Sequence, residues 1–193
     1  MQKIEILSNQ LSRARSLNNF YHKQFLYDLR YGIFLVSILY VAAYTLSLNI
    51  FLLVPYIILL FSVLLSYHAH YLIFSRMLSE DLEKEINSIK SEKILIAHEV
   101  ENKYFFPTSK RKIVVAAIGK DFTWFSFVTL FITSLGSITY IHSMYLIYVN
   151  SLTNYGYFII VFITTLLSLI VGIWWFINGT GEGRIKKVLE NKI

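Results

Sequence analysis

The side chains in this chain that could do chemistry are five histidines, three ladders of hydroxyl and small residues, and one glycine-rich stretch. His68 and His70 are two positions apart, which on a helix turns them about 200° away from each other, so they cannot chelate one ion. His98 has Glu101 and Asn102 at helical reach, the pattern of a solvated face, while His22 lies in a polar N-terminal stretch and His142 near the end of an apolar run. The chain has no cysteine, which excludes disulfides, thiolate metal sites and cysteine nucleophiles. No carboxylate completes a ligand set for the histidines, so neither a metal nor a cofactor is expected. Gly179-Thr180-Gly181-Glu182-Gly183-Arg184 follows a helical pattern rather than a strand and lacks the lysine of a phosphate loop. Its glycines read as a helix cap and hinge, with Arg184 to Lys192 as a short basic helix beyond. No Ser/His/Asp set, carboxylate pair or zinc motif is present, and no enzymatic activity is expected.

The ladders are Ser62, Ser66 and His70; Thr129, Thr133 and Ser137; and Thr164, Ser168 and Gly172. Spacing by four puts each set along one helix face. Small and hydroxyl side chains let helix backbones approach and hydrogen-bond across an interface in lipid. The same faces turned toward a shared axis in an oligomer would line a pore, and both readings stand at this level.

The elements that must position these residues are set by where charge is missing. Hydrophobic residues make up 55% of the chain and charged residues 16%, against about 25% charged in ordinary soluble domains. Tyr31 to Ser75 and Phe122 to Gly181 contain no Asp, Glu, Lys or Arg, and each run is long enough for two crossings of about 20 residues. The expected fold is all-α: a polytopic membrane protein with four transmembrane helices as two hairpins and helical cytoplasmic extensions. The spans read as Tyr31 to Leu46, Phe51 to Phe74, Phe122 to Tyr148 and Tyr155 to Asn178. The first must borrow its entry from the preceding helix. Turns fall at Ser47-Leu48-Asn49 and over Asn150 to Gly156, and Pro55 is tolerated in the first turns of the second span. The segments are thus 1–30, a cytoplasmic helix; 31–74, the first hairpin; 75–121, a cytoplasmic insert; 122–178, the second hairpin; and 179–193, a basic tail. With no carboxylate, Lys or Arg in the spans, a pump, an acid-coupled transporter or a voltage sensor is not expected.

All 18 Lys and Arg lie outside the two charge-free runs, and the positive-inside rule then places both termini and the insert in the cytoplasm. This location also accounts for the net charge of +6 without direct nucleic-acid binding. Trp124, Trp174 and Trp175 fall at the cytoplasmic ends of their spans and Tyr140, Tyr145, Tyr148, Tyr155 and Tyr157 toward the outer ends, as headgroup-level aromatic anchors do. His70 fits a polar cap at the cytoplasmic mouth of the bundle, where its charge would respond to pH.

Two heptad-like seams occupy the charged segments. Ile4, Leu7, Leu11, Ala14, Asn18, Tyr21 and Phe25 alternate by three and four, as do Ser79, Leu82, Ile86, Ile89, Lys93, Ile96 and Val100. The two are expected to pack as an antiparallel pair, with a contact to another subunit as the alternative for the first. An unbroken helix from the second span through Tyr104 would project about 40 Å. Lys110, Arg111 and Lys112 precede the apolar run Ile113 to Ile118 and read as an interfacial segment on anionic lipid headgroups, with a short strand as the alternative.

A short chain with four spans, inside termini, helical cytoplasmic arms and no catalytic residues resembles the membrane subunits of bacterial antiphage systems, that of the Kiwa system being nearest in plan. Its first half is also similar to the two-span effector modules of nucleotide-signalling defence. The resemblance implies a homo-oligomeric scaffold or sensor in a bacterial inner membrane that recruits a soluble, DNA-associated effector. The arm from Arg76 to Tyr104 is then the expected docking surface, through Glu80, Asp81, Glu83, Glu85 and Lys93. A channel-forming effector or other small transport protein is the alternative.

Overall fold

In the computed structural model, which describes residues 2–105 and 122–190, helices with short turns and loops make up the described residues, and no strand occurs among them. Helix α1 is unbroken from Gln2–Thr45, about 66 Å at 1.5 Å per residue. The first apolar run therefore does take its entry from the preceding polar helix. Ser47 then accepts a hydrogen bond from the Asn49 backbone and opens a 3-10 turn over Leu48–Leu53. Helix α2 follows as Val54–Lys90, with Pro55 in its first turn, where the missing N–H costs no helical bond. The remaining helices are α3, Ala97–Tyr104; α4, Trp124–Val149; α5, Tyr155–Gly172; and α6, Thr180–Glu190. A π-helical turn, Ile173–Ile177, closes α5. Side-chain caps start two of these helices: Thr123 accepts from the Ser126 backbone and Asn154 from that of Gly156.

Among the described residues, four helices are long and apolar enough to cross a membrane: Gln2–Thr45, Leu48–Lys90, Trp124–Val149 and Tyr155–Glu190. Most of their apolar side chains face outward. On α5 Val161 is the one buried residue, while Ile159, Phe162, Ile163, Leu166, Leu167, Ile170 and Val171 are all exposed. A patch of this size on a soluble protein would drive aggregation; on a helix in lipid it is the solvent-facing surface.

α1 and α2 run antiparallel. Their pairing is fixed from one end to the other by Lys3–Glu85, Arg15–Glu83 and Asp28–His68, and by Gly32, where an added Cβ would stand 2.9 Å from the Phe61 ring. α5 runs with α2. The Tyr157 hydroxyl donates to the Leu52 carbonyl and the Trp175 indole N–H to His70 Nδ1. These two ties are equally far apart on both helices, about 27 Å by helical rise, close to the ~30 Å of a bilayer core. α4 runs with α1, tied by the Tyr40 hydroxyl to the Thr139 carbonyl.

Three apolar clusters result. At the turn end Ala43, Phe51, Val54 and Ile147 are enclosed. Midway, Ala69, Ile73 and Met77 of α2 receive Ile185 of α6. On the arm, Leu7, Leu11 and Ala14 of α1 interlock with Leu82 and Ile86 of α2, so the first halves of both seams face each other.

The second seam does not continue beyond that. α2 ends at Lys90, Ser91 adopts the left-handed conformation (φ 53°), and α3 folds back against α2. Ile89, Lys93, Ile96 and Val100 accordingly leave the seam and are exposed. The cause is Asn87. Its side-chain oxygen accepts from the backbone N–H of Ile94 and Leu95, and its amide donates to the Leu95 carbonyl at 2.7 Å. The expected single helix from Arg76 to Tyr104 is thus replaced by a helix, a side-chain-held loop and a returning helix. Counted from Arg76, the arm therefore reaches about 20 Å to the end of α2 at Lys90 rather than about 40 Å. The basic segment with Lys110, Arg111 and Lys112 lies outside the described residues.

Candidate functional site

The polar chemistry of the chain gathers where α1, α2 and α3 meet. Heptad packing brings the flanking charged residues of both helices alongside each other, and the fold-back of α3 adds a third set from above. Glu83 is at the centre, only 1% exposed. One carboxylate oxygen accepts from Arg15 at 2.7 Å. The other accepts from both the ring Nδ1 of His98, at 2.9 Å, and its backbone N–H. Burial pushes the Glu83 carboxyl up, but hydrogen bonds from Arg15 and His98, with the charge of Arg15, outweigh it and hold it below its ordinary value. Glu83 therefore stays ionised and joins three helices at one point.

Arg76 forms a second node. It is 6% exposed and donates to Glu101 at 3.1 Å and to Asn102 at 3.3 Å. Burial lowers its guanidinium from the ordinary value, and the nearby Glu101 and Glu80 oppose that shift. Together the two nodes pin α3 along its length: His98 near its start, Glu101 and Asn102 near its end. His98 is thus not on a solvated face with Glu101 and Asn102. Those two turn to Arg76, and His98 turns inward to Glu83.

A third polar pair sits at the base of the arm. Asp28 accepts from His68 Nε2 at 2.7 Å and from Gln24 at 3.2 Å. Tyr21 stacks on Tyr71 beside it, with ring centroids 4.6 Å apart. The half-buried Asp28 and the buried His68 lie close to the level of His70 and Trp175. The carboxylate nearest the first span is therefore matched to a histidine on the opposing helix. His68 Nδ1 is buried and makes no hydrogen bond among the described residues.

The residues expected to dock a partner are mostly engaged within the chain. Glu80 takes Lys84 at 2.7 Å, Glu85 takes Lys3 at 3.0 Å and Lys93 takes Glu99 at 2.6 Å. Asp81 is half-buried and Glu83 is enclosed. The hydroxyl ladders turn onto their own helices. Ser62 donates to Ile58, Ser66 to Ser62, Thr129 to Phe125, Thr133 to Thr129, Ser137 to Thr133 and Ser168 to Thr164, each to the carbonyl four residues back. Thr164 likewise reaches Ile160 and Val161. Gly172 faces open space. His70 receives the Trp175 indole N–H. No group of three or more His, Cys, Asp or Glu residues among the described residues could hold a metal ion.

Sequence reading did not find the Glu83 and Asp28 pairs. The second had a signal. A first span of sixteen uncharged residues is short for a bilayer, so in a membrane protein the residues before it, Asp28 among them, would come to the membrane edge and need a partner there.

Fold and site together define an all-helical chain compatible with a multi-pass membrane protein, bearing an ion-paired three-helix arm at one end. No protein-family model, no curated protein and no solved structure matches it.

Proposed function

We propose that this chain is a membrane-anchored scaffold or sensor subunit whose cytoplasmic arm holds a soluble protein partner, of the kind that antiphage defence systems use. The single observation that carries the reading is the arm itself. α1 and α2 leave the apolar zone still paired, and buried charges fix α3 on them. Chemistry is not what this arrangement offers, because its ionisable groups are consumed by each other. What it offers is a stiff platform with a water-exposed apolar tip, Ile89, Ile94, Ile96 and Val100, the type of surface that marks a docking site. Both termini and the arm are cytoplasmic by the positive-inside rule, the membrane is the bacterial inner membrane, and the two transmembrane hairpins assemble as a homo-oligomer.

The test is affinity capture of the full chain from its native host with Ile94→Ser and Ile96→Ser at the tip, alongside Glu80→Gln, Asp81→Asn and Glu85→Gln on the flank. A companion protein retained by the parent and lost with the tip variant supports the reading. Retention through both sets, with function intact, refutes it.

An oligomeric channel has one observation in its favour: Thr133 and Ser137 are exposed on α4, available to an axis shared by several copies. It predicts ion leakage on expression, abolished by Thr133→Leu or Ser168→Leu. A membrane potential that stays intact throughout removes it.

A further inference from the structure

Past the π-helical turn, Gly179 takes a left-handed conformation (φ 68°) and redirects the chain into α6. Gly181 lies against the Trp175 indole so closely that a Cβ there would stand 2.6 Å from Nε1. Trp175 is itself held by His70 at 3.0 Å. Ile185 and Leu189 of α6 face the bundle and pack on the cluster of Ala69, Ile73 and Met77. One turn of α6 is thereby locked beneath the two tryptophans. The guanidinium of Arg184 comes to rest 5.2 Å from the Trp175 ring and 5.9 Å from that of Trp174. No carboxylate pairs with Arg184 among the described residues. Its planar donor fork lies over aromatic faces, and its N–H groups find no acceptor among the described residues. Lys187, three residues on, shares that side of the helix and is also exposed.

A guanidinium oriented on indoles, unpaired, and beside a second cation fits a phosphate oxygen pair. We infer that Arg184 and Lys187 form a binding site for the phosphate of an anionic phospholipid headgroup, with Trp174 and Trp175 as its floor. The occupant is a lipid because the site continues directly from a lipid-facing surface. Ile170, Val171, Ile173 and Trp174 are exposed on the same run of chain, so acyl chains alongside α5 deliver their headgroups to this level. The indoles stand about 27 Å by helical rise from the opposite tie at Tyr157, the depth at which a headgroup begins. The inference rests on the membrane orientation proposed above and not on the scaffold role.

The test is native mass spectrometry of the full chain in mild detergent, titrated with phosphatidylglycerol or phosphatidylcholine of the same acyl chains. Preferential retention of phosphatidylglycerol is expected, falling about five-fold in Arg184→Gln and again in Lys187→Gln, since each cation near the surface contributes a factor of that order. Arg184→Lys should fall between, because it keeps the charge and loses the fork. Equal retention of both lipids by the parent, or Arg184→Gln without effect, overturns the inference. Inorganic phosphate that binds as tightly and displaces the lipid would make this a free-anion site and equally overturn it. Quenching of tryptophan fluorescence by chain-brominated phosphatidylcholine should match between parent and Arg184→Gln, separating a lost headgroup contact from a lost fold. Partner capture at the arm tip should be unchanged in these variants.

Discussion

The α1–α2 pair and the α4–α5 pair are built from similar lengths of apolar helix and pack in opposite ways. α1 and α2 pair from Lys3–Glu85 to Gly32–Phe61, and the buried residues of α2 lie in its first turn and from His68 to Ile86, with none from Tyr56 to Tyr67. α4 and α5 meet at a few points, chiefly Tyr140 to Thr165 at 2.7 Å and the edge-on rings of Tyr148 and Phe158, and otherwise lean on α1 and α2. On the membrane topology proposed above, the difference follows from the solvent each must satisfy. In lipid an apolar side chain gains little by touching another apolar side chain, so α4 and α5 can remain mostly outward-facing. In water the arm has to bury its seam, and each Leu or Ile enclosed there contributes about 1.5–3 kcal/mol. On the proposed topology, the tight packing of α1 and α2 from His68 to Ile86 is a property of the part that leaves the membrane.

Substitutions rank accordingly. Leu82→Ala, in the arm cluster, should cost about 2–5 kcal/mol, read as a lowered midpoint of thermal unfolding in detergent and early proteolysis between residues 1 and 105. An equivalent truncation on the lipid face of α5, Leu167→Ala, should leave both unchanged, and a comparable loss there would break the contrast.

Glu83→Gln should cost about 2–3 kcal/mol, because Arg15 and His98 both lose a charged acceptor. It also carries the pH dependence. The Glu83 carboxyl is held below its ordinary 4.5, so its contribution is fully present above that value and is lost as pH falls through the lower folded value. Arm stability measured by proteolysis should drop on acidification below about 4.5, and that part of the drop should vanish in Glu83→Gln.

Asn87→Ala removes three hydrogen bonds that hold the loop after α2, a loss of about 1–3 kcal/mol. It should be visible as faster amide exchange at Ile94 and Leu95, with the spans unaffected. Smallest are Thr133→Val and Ser168→Ala, each under about 0.5 kcal/mol, since both hydroxyls bond only to carbonyls of their own helix.

Much of this plan was legible beforehand, because it depends on local pattern. The absence of charge over Tyr31 to Ser75 and Phe122 to Gly181 predicts the long apolar helices. Alternation by three and four identifies Leu7, Leu11 and Ala14 as facing Leu82 and Ile86. The end of α2 was not legible. Lys90-Ser91-Glu92-Lys93 contains no proline or glycine, and the left-handed Ser91 is stabilised by Asn87 and by the contacts of α3 with Arg76 and Glu83, which are set by tertiary packing. For the same reason Glu83 read as one of four outward acids, when its position on the seam side of α2 places it under His98. The hydroxyl ladders were legible as ladders, but spacing alone does not reveal that each oxygen is already satisfied by its own backbone.

The central claim is that the paired arm and the two uncharged turns lie on opposite sides of a membrane. The chain has no cysteine, so single cysteines introduced as Ser12→Cys, Ser88→Cys, Asn49→Cys and Ser151→Cys can each be exposed to a membrane-impermeant maleimide in intact spheroplasts. The account predicts labelling at positions 49 and 151 in intact spheroplasts, and at 12 and 88 only after permeabilisation. Labelling of Ser88→Cys in intact spheroplasts, or equal labelling of all four, would contradict it.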